Sequence, residues 1–111
     1  RIRVSLDMPE LELDVDTAVP LGLIVNELIT NSLKYAFPDG REGTITVSLQ
    51  KAGGRLELLV ADNGAGKANT ATGTSFGSQL VHLLTAQMGG ALSQDTAQGF
   101  ATRVSIPPIP A

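Results

Sequence analysis

Glu27, Asn31 and Lys34 stand in the stretch "NELITNSLKYAF", residues 26–37, separated by four residues and then three. At about 100° per residue, that spacing puts all three on one helical face, within an arc of about 60°. A carboxylate and a carboxamide one turn apart suit a hard cation that keeps several waters and takes few protein ligands. Mg²⁺ riding on a triphosphate is such a cation. Lys34 on the same stripe offers a point positive charge to phosphate oxygens. The competing reading is a solvated polar face on an ordinary amphipathic helix. Against it, no other charged residue stands between Asp16 and Asp39.

A second cluster, "DNGAG" at Asp62–Gly66, follows a strongly apolar run. Gly64 and Gly66 let the backbone pass close to a flat ligand because no Cβ intervenes. An aspartate at the mouth of an apolar slot can accept a hydrogen bond from an exocyclic amine such as that of adenine, and a buried carboxylate without a partner is costly. The alternative is a simple strand-ending turn. A third feature, "GTSFGSQLV", brings a glycine-bearing loop into a helix, where free amides can meet an anion and Gly77 leaves room for it. Glycine before a helix is common, so this signal is weak alone. His82, the single histidine, lies between Val81 and Leu83 and reads as a surface or edge residue. Neither GxxxxGK[ST] nor a GxGxxG after the first strand occurs, which removes the P-loop and Rossmann readings.

The elements that must carry these groups are readable from periodicity. Ile2-Val4-Leu6 and Leu11-Leu13-Val15 alternate as two half-buried strands, the first at an edge. From Thr17 the period becomes helical, with Pro20 in the first turn and Asp16 or Thr17 as cap. Leu21, Ile24, Val25, Leu28, Ile29, Ser32 and Ala36 form its apolar face, opposite Glu27, Asn31 and Lys34. The helix stops before Pro38, and "PDGREG" is a turn. "TITVSLQKAGGRLELLVAD" is a hairpin around Gly53-Gly54, its second strand apolar enough to be central. "KANTATGTS" reads as a mobile loop. A second helix in "FGSQLVHLLTAQMGG" turns Leu80, Val81, Leu83, Leu84 and Met88 inward and stops at Gly89-Gly90. A closing hairpin ends in the strand Thr102–Ile106. The order predicts an α+β fold: a two-layer sandwich with a mixed, mostly antiparallel sheet and helices on one face.

At 111 residues, residues 1–111 make one domain with one core. An apolar content of 42% and a charged content of 17% are those of a globular chain. A net charge of −3 gives no electrostatic case for nucleic acid or an anionic membrane. There are no cysteines, which excludes disulfides and mildly favours a cytoplasmic setting. No apolar run reaches the roughly 18 residues of a membrane span. The chain starts at Arg1 and enters a strand pattern at once, so it is expected to be a piece of a longer protein.

Together, "PLGLIVNELITNSLKYAFPDG", "DNGAG", "SFGSQLVHLLTAQMGG" and "ATRVSIP" resemble the N box, glycine boxes and closing strand of the ATP-binding catalytic domain of sensor histidine kinases. That domain belongs to the ATPase superfamily of gyrase and the heat-shock chaperones. The resemblance spans nearly the whole chain and looks closest to the HWE-related class. Kinases of that class usually carry a histidine where Tyr35 stands, and their Trp-x-Glu signature is absent here. It implies the Bergerat ATP-binding fold and ATP or ADP with Mg²⁺ as ligands. Asn31 would then hold the metal, with Glu27 holding a metal-bound water or polarising the reacting group. Lys34 and Tyr35 would meet phosphates and ribose, and Asp62 would read the adenine amine, helped by Thr102 through water. Gly64 and Gly66 would admit the base, and Gly77 with its helix would cover the phosphates. Ser75 and Ala101 depart from family glycines, and Lys67 stands where an apolar residue is usual.

The resemblance also implies a histidine-bearing dimerisation domain and a response-regulator receiver domain as partners. Because such an acceptor histidine would lie outside this chain, the fragment is expected to bind nucleotide as a monomer without phosphorylating itself. Two alternatives remain: a serine kinase of the anti-sigma-factor type, and a degenerate scaffold that binds no nucleotide.

Overall fold

The structure, a computed structural model, describes residues 2–9, 12–35, 37, 42–64, 76–95 and 99–107. Seven elements follow in order: β1 (Ile2–Asp7), α1 (Val15–Tyr35), β2 (Gly43–Ala52), β3 (Arg55–Asp62), α2 (Phe76–Gln87), β4 (Ala91–Asp95) and β5 (Phe100–Ile106). The strands make one five-stranded sheet in the order β1-β2-β3-β5-β4. Only β1 and β2 run parallel, joined through α1 as a parallel pair requires, and the remaining pairs are antiparallel. This is the mixed, mostly antiparallel α+β architecture expected, with β3 at the centre.

Period-two patterning sets the core face of the sheet. In β3, Leu56, Leu58, Val60 and Asp62 are buried, alternating with half-buried neighbours. Opposite them on β5 are Phe100, Thr102, Val104 and Ile106, and on β2 Ile45, Val47 and Leu49 complete the layer. From α1, Leu21, Ile24 and Leu28 pack onto this layer, followed one turn later by buried Ser32. Two rows that begin in leucine thus end in a polar residue at the same place: Ser32 on the helix and Asp62 on the strand.

Local chemistry fixes the ends of the elements. Gly53 and Gly54 form the tight turn between β2 and β3, where Ala52 pairs with Arg55. α2 stops in a Schellman arrangement, with Gly89 N–H donating to the Ala86 carbonyl at 3.0 Å and Gly90 N–H to the Thr85 carbonyl at 2.9 Å.

Several expectations are corrected. The strand expected through Leu13 and Val15 does not form: Glu12–Asp14 are irregular and Val15 already begins α1, while Leu11 lies outside the described residues. The Asp14 carbonyl accepts from Thr17 N–H at 2.9 Å and Ala18 N–H at 2.8 Å, so Asp14, rather than Asp16 or Thr17, is the residue that leads into the first helical turn. Pro20 therefore sits in the second turn, where its missing N–H leaves the Asp16 carbonyl without its usual donor. Short alternation over five residues is equally a piece of helix entry, and the start of α1 overrode it. β1 is an edge strand as expected, but Val4 and Leu6 are exposed rather than half-buried. Leu83 is also exposed, because Val81 and Thr85 take the inward face of α2. The turn at residues 38–41, Ala36 and the loop at residues 67–75 lie outside the described residues.

Candidate functional site

α1 is a single rigid helix that presents two neighbouring strips to two different parts of the molecule. Taking Leu28 as the centre of the buried strip, Ser32 lies about 40° to one side; Asn31 lies about 60° and Glu27 about 100° to the other. Lys34 follows at about 120°. Burial falls in that order: Ser32 is buried, Asn31 and Glu27 are half-buried, and Lys34 is exposed. The expectation that Glu27 and Asn31 lie opposite the apolar face is thereby corrected. They flank it, because α2 packs beside α1 on that side and shields them.

The shielding contact is specific. The Glu27 carboxylate lies against the Cα of Gly77, the second residue of α2, so that a Cβ there would fall on the carboxylate itself. The first and third clusters read from the sequence are therefore one place. A carboxylate beside the first turn of a helix is also favourably placed for the helix dipole, by about 0.3–1 kcal/mol in exposed settings. The glycine expected to admit an anion here admits the Glu27 side chain.

Asp62 ends the buried row of β3 at 5% exposure. Its Oδ2 accepts a 2.8 Å hydrogen bond from Ser32 Oγ, and its Oδ1 accepts one of 2.9 Å from the Gly64 N–H. Both donors are neutral, so they orient the carboxylate without cancelling its charge. The backbone is held as firmly. Gly99 has φ = 87°, and a Cβ there would strike the Asp62 carbonyl oxygen. Asn63 extends the ladder beyond the strand: its N–H donates to the Thr44 carbonyl at 3.2 Å, and its Oδ1 accepts from the Thr44 N–H at 2.8 Å. Thr102 pairs with Val60 and is 1% exposed, which makes it the diagonal neighbour of Asp62 on the core face.

The structure thus gathers Glu27, Asn31 and Gly77 on one side of the inner end of α1, and Asp62, Gly64 and Thr102 on the other. Lys34 stays on the solvent edge of the first group. The Tyr35 side chain, Gly66, Lys67 and Ser75 lie outside the described residues. Among the described residues no three His, Asp or Glu side chains group to hold a metal. His82 is exposed on α2, as expected.

Sequence reasoning missed Ser32 and Asn63. In the sequence, Ser32 reads as one more member of the apolar face. The available signal was that a hydroxyl closes a helical core row while an acid closes the central strand's core row.

The profile of the histidine kinase-like ATPase domain family matches residues 6–97. The chain is 31% identical over 109 residues to blue-light-activated histidine kinase 2 of Erythrobacter litoralis, covering 95% of this chain and 31% of that protein. It is 31% identical over 97 residues to the sensor histidine kinase PdtaS of Mycobacterium tuberculosis, covering 83% and 19% respectively. The chain thus spans a third or less of the curated relatives it matches. In three dimensions it is similar to the histidine kinase domain of a blue-light-activated histidine kinase from Erythrobacter litoralis. The TM-score is 0.84 at 27% identity, over 96% of this chain and 54% of that one.

Proposed function

Because the chain belongs to the histidine kinase-like ATPase domain family, we propose that it binds Mg-ATP and Mg-ADP as the catalytic domain of a sensor histidine kinase. The observation that carries this reading is the Asp62 carboxylate. It is buried at the end of the central strand and oriented by Ser32 and Gly64, with lone pairs left to accept from an adenine amine. Each Asp62 oxygen already accepts one neutral donor and keeps a lone pair that adenine N6 can fill.

The phosphate end lies along α1. Asn31 Oδ1 and the Glu27 carboxylate, one turn apart and half-buried, are hard oxygen donors of the type Mg²⁺ takes alongside phosphate oxygens. Mg²⁺, when bound, neutralises charge across the phosphates. Lys34 reaches phosphate oxygens from the solvent edge, with Tyr35 next to it in sequence; Gly66 is assigned to admitting the base, and Gly77, at the start of α2, to covering the phosphates. Thr102 supports the base side as the neighbour of Asp62.

In the parent protein, the acceptor is a histidine on a dimerisation domain. The bond formed joins a ring nitrogen to the γ-phosphorus, and the bond broken joins that phosphorus to the β–γ bridging oxygen, releasing ADP. Catalysis of this kind rests on positioning and charge neutralisation. Glu27 polarises the reacting group from its place beside α2. The phosphoryl group then passes to an aspartate of a response-regulator receiver domain. Among the described residues no helix is long and apolar enough to cross a membrane, and the domain is proposed to work in the cytoplasm.

Calorimetric titration of this chain with ATP, with and without Mg²⁺, tests the reading. Saturable binding strengthened by Mg²⁺ is expected. Absence of binding at millimolar nucleotide in both conditions would leave a scaffold domain instead.

A further inference from the structure

We infer that Ser32 is a positioning residue for base recognition, setting the preference for a 6-amino purine by aiming Asp62. The inference rests on the nucleotide reading above and adds a residue and a selectivity to it.

Asp62 has two carboxylate oxygens, and each already carries one neutral donor: Ser32 Oγ at 2.8 Å on Oδ2, and Gly64 N–H at 2.9 Å on Oδ1. These contacts leave the carboxylate as an acceptor toward the ligand, with its plane fixed between α1 and the turn after β3. Gly64 lies only two residues along the chain, so its N–H moves with Asp62 and cannot by itself fix the carboxylate against the rest of the fold. Ser32 can, because it comes from a different element, 30 residues away, and is itself only 4% exposed. The Ser32 hydroxyl therefore ties the helix bearing Glu27 and Asn31 directly to the acid proposed to read the base. It sets the distance between the two ends of the ligand as well as the direction of the acceptor.

A 6-amino purine presents an N–H to that acceptor. A 6-oxo purine presents a carbonyl oxygen, which faces the carboxylate with like polarity and no shared proton. A site built to accept from an N–H discriminates strongly against the analogue that lacks it, provided the acceptor cannot turn away. Ser32 supplies that proviso. Without its hydroxyl, the Asp62 side chain regains rotamer freedom, and a water can stand between it and a 6-oxo base.

The test is the ratio of affinities for ADP and inosine diphosphate, by calorimetry, in the wild-type chain, Ser32→Ala, Asp62→Asn and the double variant. Ser32→Ala should weaken ADP binding about tenfold and compress the ADP-to-IDP ratio by a similar factor. In the Asp62→Asn background, Ser32→Ala should leave the ratio unchanged, since the two act as one unit. A partly unfolded variant lowers both affinities alike and does not move the ratio, so a structural role alone cannot imitate the result. If the wild-type chain prefers ADP and Ser32→Ala keeps the same ratio, the role of Ser32 is overturned while nucleotide binding stands. If the wild-type chain binds neither nucleotide, the functional reading itself falls.

Discussion

The carboxylate of Glu27 occupies the space that any side chain at Gly77 would need, so the N-terminal turn of α2 closes directly on the polar strip of α1. A residue proposed for the metal end of the site is thus packed against the helix proposed to cover the phosphates.

Gly77→Ala should therefore separate folding from function. The atoms its Cβ meets first belong to the end of a flexible side chain, which can swing aside, so thermal stability should fall by no more than about 1 kcal/mol. The displaced carboxylate should instead weaken the Mg²⁺-dependent part of ATP affinity. Titrations with and without Mg²⁺ on this variant check it, and an unchanged Mg²⁺ dependence would contradict it.

Gly99→Ala should behave in the opposite way. Here the obstacle is the Asp62 carbonyl, part of the central strand, and φ = 87° is a conformation that L side chains avoid. Overpacking against backbone and the left-handed penalty together should cost about 2–4 kcal/mol. A drop in urea midpoint at unchanged slope would register it.

Ile24 and Leu23 are adjacent on α1, one fully buried and the other 47% exposed. Ile24→Ala should destabilise the fold by about 2–5 kcal/mol, and Leu23→Ala by well under half as much. Equal losses in urea denaturation would show that α1 packs on the sheet by another face.

Lys34 is exposed at the edge of the polar strip, where charge contacts are screened and modest. Lys34→Ala should lower ATP affinity a few-fold at low salt, with the difference shrinking at high salt and absent for adenosine. A loss equally large for adenosine would place Lys34 at the base end.

Much of this was legible because periodicity is a burial signal. The central strand, the hairpin at Gly53-Gly54 and the glycine stop of α2 all follow from residue order and turn chemistry. The entry to α1 was not, since Leu11-Leu13-Val15 alternates as a strand would, and only the Asp14 carbonyl's bonds show where the helix begins. The convergence of Glu27, Asn31 and Lys34 was readable from spacing alone. The half-burial of Glu27 and Asn31 depended on a second helix nearly fifty residues later, a tertiary fact that helical periodicity does not contain. Ser32 was hidden for the same reason: a serine among leucines reads as small until Asp62 is set opposite it.

The most direct measurement is the dissociation constant for ADP, in Mg²⁺, of the wild-type chain against Asp62→Asn. Replacing the acceptor oxygen by an amide that donates should weaken ADP binding by about 10- to 100-fold, the range of a hydrogen bond to a charged group. An Asp62→Asn variant that binds ADP as tightly as the wild-type chain would contradict the placement of adenine on Asp62.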